Sequence, residues 1–223
     1  MSGVAAHEVE TRPDDPAAGL SPTARRLVAA ARRLLARGGV EALTVEAVAA
    51  EAGVYRDAVR YHFGSKAAFL AAVVDSLAHD QSLRAFEESR RQAAGSQRVR
   101  SLLAGDRGVV ADQEAFRDYF LLVPLVIRDP ELRSRVARLY DWYRDLYVDG
   151  LRGSVRVDLD TLELLASLMV AVTDGLALQK LLDPERVDLE ALFGLWERIL
   201  RRELLGDDEG EGVAPGGGGG PRR

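Results

Sequence analysis

The chain has 223 residues, 47% of them apolar, with 30 basic and 35 acidic side chains and a net charge of −5. That length and apolar content can bury a substantial core, and no stretch approaches the roughly 18 consecutive apolar residues that a membrane span requires. With no Cys and only His7, His62 and His79, the sequence excludes disulfides, thiol chemistry and cysteine-bound zinc, and it leaves no ready histidine cage, so neither a metal nor a cofactor is expected.

Residues 1–20 read as a disordered N-terminal arm, polar and without the apolar centre of a signal peptide, which places the expected protein in the cytoplasm. Ser21-Pro22 then marks a helix start, with Ser as N-cap and Pro at the first helical position. Leu27, Ala30, Ala31, Leu34 and Leu35 recur at helical spacing until Gly38-Gly39 stops the run. Thr44 is the next cap, and its hydroxyl suits either the first amides of its own helix or a DNA phosphate.

Residues 45–64, VEAVAAEAGVYRDAVRYHFG, have the spacing of a helix-turn-helix. Ala49 is small enough for close helix approach, Gly53 can take the turn, and Val48, Val54 and Val59 anchor the pair. A recognition helix over Tyr55–His62 turns Ala58 and Val59 inward and leaves Tyr55, Arg56, Asp57, Arg60 and Tyr61 on the DNA side. Arg56 has two open readings, a bidentate contact to guanine or a phosphate clamp. His62 reads as a packing or phosphate-side residue. Ser65 caps the following helix, and Lys66 places a cation at the positive end of that helix dipole, which a phosphate contact would offset.

Residues 24–73 resemble the DNA-binding domain of the TetR family of bacterial transcriptional regulators. The resemblance rests on LVAAARRLLARGGVEALTVEAVAAEAGV and YHFGSKAAFLAAV, on either side of the recognition segment. It implies an all-α homodimer, with a three-helix DNA-binding domain at 21–66 and a helical effector-binding and dimerisation domain at 67–205. It further implies that a small-molecule effector shifts the helix after the recognition helix and releases a near-palindromic double-stranded DNA operator. Two positions depart from the family pattern: Tyr55 stands where Ser or Thr usually caps the recognition helix, and Arg60 stands where a Tyr often meets phosphate. Charge distribution agrees, since 21–66 holds eight basic and four acidic residues, net +4, leaving −9 elsewhere.

Beyond the head the pattern is helical throughout. One long helix is expected from Lys66 to about Ala94, with a break near Asp80, and a short one over Gln97–Ala104, ended by Gly105 and Gly108. Asp112 caps a helix in which Phe116, Tyr119, Phe120 and Val123 share a face and Pro124 makes a kink. Asp129-Pro130 opens another, to about Arg152. The last two, Leu159–Leu182 and Leu189–Leu204, carry apolar residues on more than one side and are the expected homodimer surface, 159–204. Phe116, Tyr119, Phe120, Trp142, Tyr143, Tyr147 and Met169 are the candidates to line an effector pocket, with Arg117, Arg128 and Asp174 as polar candidates to orient a ligand. The Gly-rich tail 206–223 reads as flexible. Two other readings stay open on sequence alone: an effector-independent DNA-binding autoregulator, and an all-helical enzyme, for which the chain offers no Cys, few His and no Gly-rich phosphate loop.

Overall fold

A computed structural model describes residues 19–202, apart from the side chains of 78–83, that of His79 among them; the arm over 1–18 and the tail from 203 onward lie outside the described residues. Among the described residues every regular element is helical, with no strand. In chain order they are α1 (Pro22–Gly38), a single 3₁₀ turn (Val40–Ala42), α2 (Val45–Ala52), α3 (Asp57–Phe63), α4 (Lys66–Arg90) and α5 (Ser96–Ala111). They continue with α6 (Gln113–Arg128), α7 (Pro130–Leu151), α8 (Leu159–Leu182) and α9 (Leu189–Leu200).

Five helix starts follow the caps read from the sequence, at Ser21, Thr44, Ser65, Asp112 and Asp129, and Asp158 and Asp188 add two that the sequence reading did not single out. The side chains of Ser21, Thr44, Ser65, Asp112, Asp129, Asp158 and Asp188 each accept a hydrogen bond from an amide in the first turn of the helix they precede. The interiors are less literal. α4 runs unbroken through Asp80, and α5 continues through Gly105 and Gly108 to Ala111. Gly105 lies where α5 presses on α4: a Cβ there would come within 2.4 Å of the Ala85 Cβ, so the glycine permits a close crossing instead of ending a helix. Pro124 likewise sits inside α6, which continues past it to Arg128.

Two apolar clusters fill the molecule. The first joins head to body: Leu27, Leu35, Val48 and Val59 pack with Phe69, Val73 and Val74 of α4, and the cluster continues into Leu122, Val126, Leu132 and Leu139 of α6 and α7. The second lies among α5, α7, α8 and α9, around Val99, Leu103, Leu151, Leu165, Met169 and Phe193. Helix α8 has the length and mean hydropathy, 1.6, of a membrane span, yet Leu162, Leu165, Ala166, Met169, Val170 and Ala177 are buried against its own domain. Its other face is open: Leu164 is 68% exposed, Leu168 56% and Leu182 76%, and Leu195 and Ile199 of α9 are exposed as well.

Candidate nucleic-acid interface and interior cavity

The helix-turn-helix has the backbone its sequence requires. Gly53 has φ 65° and ψ 42°, the left-handed turn that lets α3 fold back on α2, and Ala49 beneath it is buried. Val48 and Val59 are fully buried and Val54 half-buried, so the two helices are fixed by apolar contact. The start of α3 is different. Arg56 already has helical angles, φ −49° and ψ −41°, and no side chain caps the helix, so Tyr55 at its boundary supplies no acceptor to the first amides.

All seven residues expected to face DNA, Thr44, Tyr55, Arg56, Asp57, Arg60, Tyr61 and Lys66, are exposed. Tyr55 and Tyr61 are the most exposed large apolar side chains of the head. Thr44 also caps α2, its Oγ1 accepting from the Ala47 amide at 3.2 Å. Arg56 bonds Glu46 of α2 at 2.8 Å, both side chains solvent-exposed. Hydroxyl and ring meet at His62, whose Nδ1 lies 3.2 Å from the Ser21 Oγ, tying the start of α1 to α3.

The five arginines of α1 are fastenings. Arg25 donates to the Leu20 carbonyl, Arg26 to the Ala52 carbonyl at 2.6 Å, and Arg32 to the Ser76 carbonyl on α4 at 3.0 Å. Arg33 and Arg37 both bond Glu51 at 2.7 Å, and these hydrogen bonds hold its carboxyl below the ordinary range. They remain solvent-exposed and still contribute positive field, alongside Arg56, Arg60 and Lys66.

The body holds a partly open cavity of about 330 Å³. Phe116, Tyr119, Tyr143 and Tyr147 line it, whereas Met169 is buried in the second core and Phe120 and Trp142 pack against the two cores. Of the polar candidates Asp174 lines it; Arg117 instead pairs with Asp118 at 3.0 Å. Sequence reasoning missed Tyr140 and Asp106, the latter because reading Gly105 and Gly108 as helix breakers put it in an expected gap. Each has a polar role. The Tyr147 hydroxyl donates to Asp106 at 2.9 Å, and the Tyr140 hydroxyl donates to Asp174 at 2.5 Å and lies 2.8 Å from the Tyr119 hydroxyl. Burial pushes the Asp106 carboxyl up to about 7 against the opposing Tyr147 hydrogen bond. Burial also raises Asp174, again opposed by its tyrosine, and Tyr119, to about 12. Arg32 of the head reaches this lining too, beside Ser76 and Leu77 of α4.

Comparison with known proteins places this geometry. A family model described as bacterial regulatory proteins of the tetR family matches residues 27–73, and one described as the BetI-type transcriptional repressor C-terminal region matches 109–205. The chain is 27% identical over 204 residues to the HTH-type transcriptional regulator BetI of Rhizobium meliloti, covering 90% of this chain and 98% of the relative. Among solved structures, a transcriptional regulator from Rhodococcus sp. Rha1 has a TM-score of 0.67 at 24% identity, over 81% of this chain and 97% of its own. NalD, described as the secondary repressor of the MexAB-OprM multidrug efflux pump in Pseudomonas aeruginosa, has a TM-score of 0.59 at 21% identity, covering 84% and 98%.

Proposed function

Because the chain belongs to the TetR family of bacterial transcriptional regulators, we propose that it acts in the cytoplasm as a homodimeric repressor that leaves a near-palindromic operator when a small molecule fills the 330 Å³ cavity. The observation that carries the reading is the connection between cavity and head. Arg32 belongs to α1, lines the cavity and donates to the Ser76 carbonyl of α4, so a ligand there touches the joint between the DNA-reading helices and the body. A ligand that binds more tightly to one head position than another shifts the population accordingly.

On DNA, Tyr55, Arg56, Asp57, Arg60 and Tyr61 would face the major groove, with Thr44 and Lys66 on flanking phosphates. Two such heads about 34 Å apart would read successive grooves, which requires a dimer. The open apolar faces of α8 and α9, within 159–204, are the surface proposed to pair.

Selection of bound sequences from random duplexes, followed by gel-shift titration, tests this. A recovered site with two inverted half-sites about one helical turn apart supports the dimeric reading, while the lack of any sequence-specific, salt-sensitive shift overturns it. A shift that no small molecule reverses would favour an effector-independent autoregulator. On the recovered site, Arg56→Ala should relax the choice at one base pair by about 1–3 kcal/mol if Arg56 reads a base, and weaken all sequences alike if it clamps phosphate.

A further inference from the structure

Among the cations at the recognition helix, one comes with its own counter-ion. Arg56 Nη2 lies 2.8 Å from Glu46 Oε1, whereas Arg60 and Lys66, also exposed, have no carboxylate within 4.0 Å among the described residues. Glu46 is placed independently of that partner: it stands in the first turn of α2, just inside the Thr44 cap, where the helix dipole favours a carboxylate. Val48 and Val59, both buried, in turn fix α2 against α3. The pair is open to water, with 71% and 58% of the two side chains exposed, and so adds little to the fold. Its effect falls on binding, because the carboxylate stands beside a residue proposed to meet a polyanion.

That charge decides which group on DNA suits Arg56. A phosphate on the same guanidinium would bring a second anion up to Glu46, and the two would repel at short range in an interface that excludes water. A guanine edge is neutral. Its O6 and N7 both accept, and a guanidinium has N–H groups enough to serve both while still facing Glu46. We propose that Arg56 reads a guanine and that Glu46 is its positioning residue, keeping the guanidinium off the phosphate backbone and turned to the base. This rests on the operator-binding reading above and adds to it the residue that sets specificity. Away from the operator, the same pair withholds one positive charge from non-specific DNA.

The test is a titration of the full chain, followed by fluorescence anisotropy at several salt concentrations, with its selected operator, with operators altered one base pair at a time, and with an unrelated duplex. Arg56→Ala should erase a preference of about ten-fold or more at one base pair. Glu46→Gln, which keeps the length and removes the charge, should reduce the preference at that same base pair to about three-fold or less. It should also bind the unrelated duplex more tightly, with a salt slope steeper by about one. Added to Arg56→Ala, Glu46→Gln should change nothing further at that base pair, because the two act as a unit. An equal gain on every duplex with the base preference intact overturns the proposal, since Glu46 would then contribute net charge alone. An Arg56→Ala variant that weakens all sequences alike also overturns it, and that result needs no Glu46 variant to fold. If the unaltered chain selects no operator, the regulator reading itself has failed; if it selects one and Glu46→Gln leaves every preference intact, this proposal alone has failed.

Discussion

At the level of single residues, the departure from the family pattern at Tyr55 has a structural consequence. Tyr55 stands at the entrance to α3 with no acceptor to offer, and that helix starts uncapped. Tyr55→Thr should therefore stabilise the fold by about 0.5–1 kcal/mol in urea denaturation. It should also weaken operator binding in a gel shift, since the exposed ring is lost from the face proposed to meet DNA. Asp106 provides the pH prediction. Burial raises its carboxyl from 3.8 to about 7, so between these values the folded chain keeps a proton that the unfolded chain has released. Its contribution is thus fully present below about pH 4 and is lost as pH rises through about 7, the sign for a raised carboxyl. Asp174 is displaced in the same direction. Urea titrations of the native chain and of Asp106→Asn at a series of pH values should show the native chain losing up to about 4 kcal/mol relative to the variant from about pH 4 to 8.

At the level of elements, the glycines of α5 separate two roles that look identical in a sequence. A Cβ at Gly105 meets Ala85 at 2.4 Å, whereas one at Gly108 meets nothing within 4 Å. Gly105→Ala should then destabilise, its overpacking of about 1–3 kcal/mol outweighing the gain of about 1 kcal/mol in helix propensity. Gly108→Ala should stabilise by up to about 1 kcal/mol, because only the propensity changes. Thermal unfolding of the two single variants reads the opposite signs directly. The same pair shows why local reading failed here: a glycine in a helical pattern marks either a stop or a close crossing, and only the partner helix distinguishes them. At the caps no such partner is needed, because the side chain bonds an amide two or three residues on, and Ser21, Thr44, Ser65, Asp112 and Asp129 behave as their sequence context predicts.

At the level of the whole molecule, a single apolar cluster runs from the head through α4 into α6 and α7, so the head has no core independent of the body. A displacement of either would have to be absorbed by packed side chains that have few alternative arrangements. The outer faces of α8 and α9 remain to be covered. Leu164 and Leu168 lie one turn apart on α8 and are both more than half exposed. The double variant Leu164→Glu with Leu168→Glu should sediment as a monomer, keep its helical circular dichroism, and bind the selected operator at least about ten-fold more weakly, since each head would then bind alone. A variant that still sediments as a dimer would place the pairing surface elsewhere.

The sequence alone determined the all-helical class, the helix-turn-helix and its Gly53 turn, five of the capped helix starts and the exposure of Tyr55, Arg56, Asp57, Arg60 and Tyr61. Each of these depends on contacts within a few residues of chain, or on a 3.6-residue period, and so is written locally. Tertiary structure decided the rest. Arg26, Arg32, Arg33 and Arg37, which the sequence shows only as basic charge, find their partners 14 to 44 residues away. Asp106 and Tyr147 meet across 41 residues, and Tyr140 and Asp174 across 34. Which aromatic side chain becomes core and which faces the cavity depends on how α5, α6, α7 and α8 cross, and crossing geometry is a property of pairs of helices that neither helix encodes by itself.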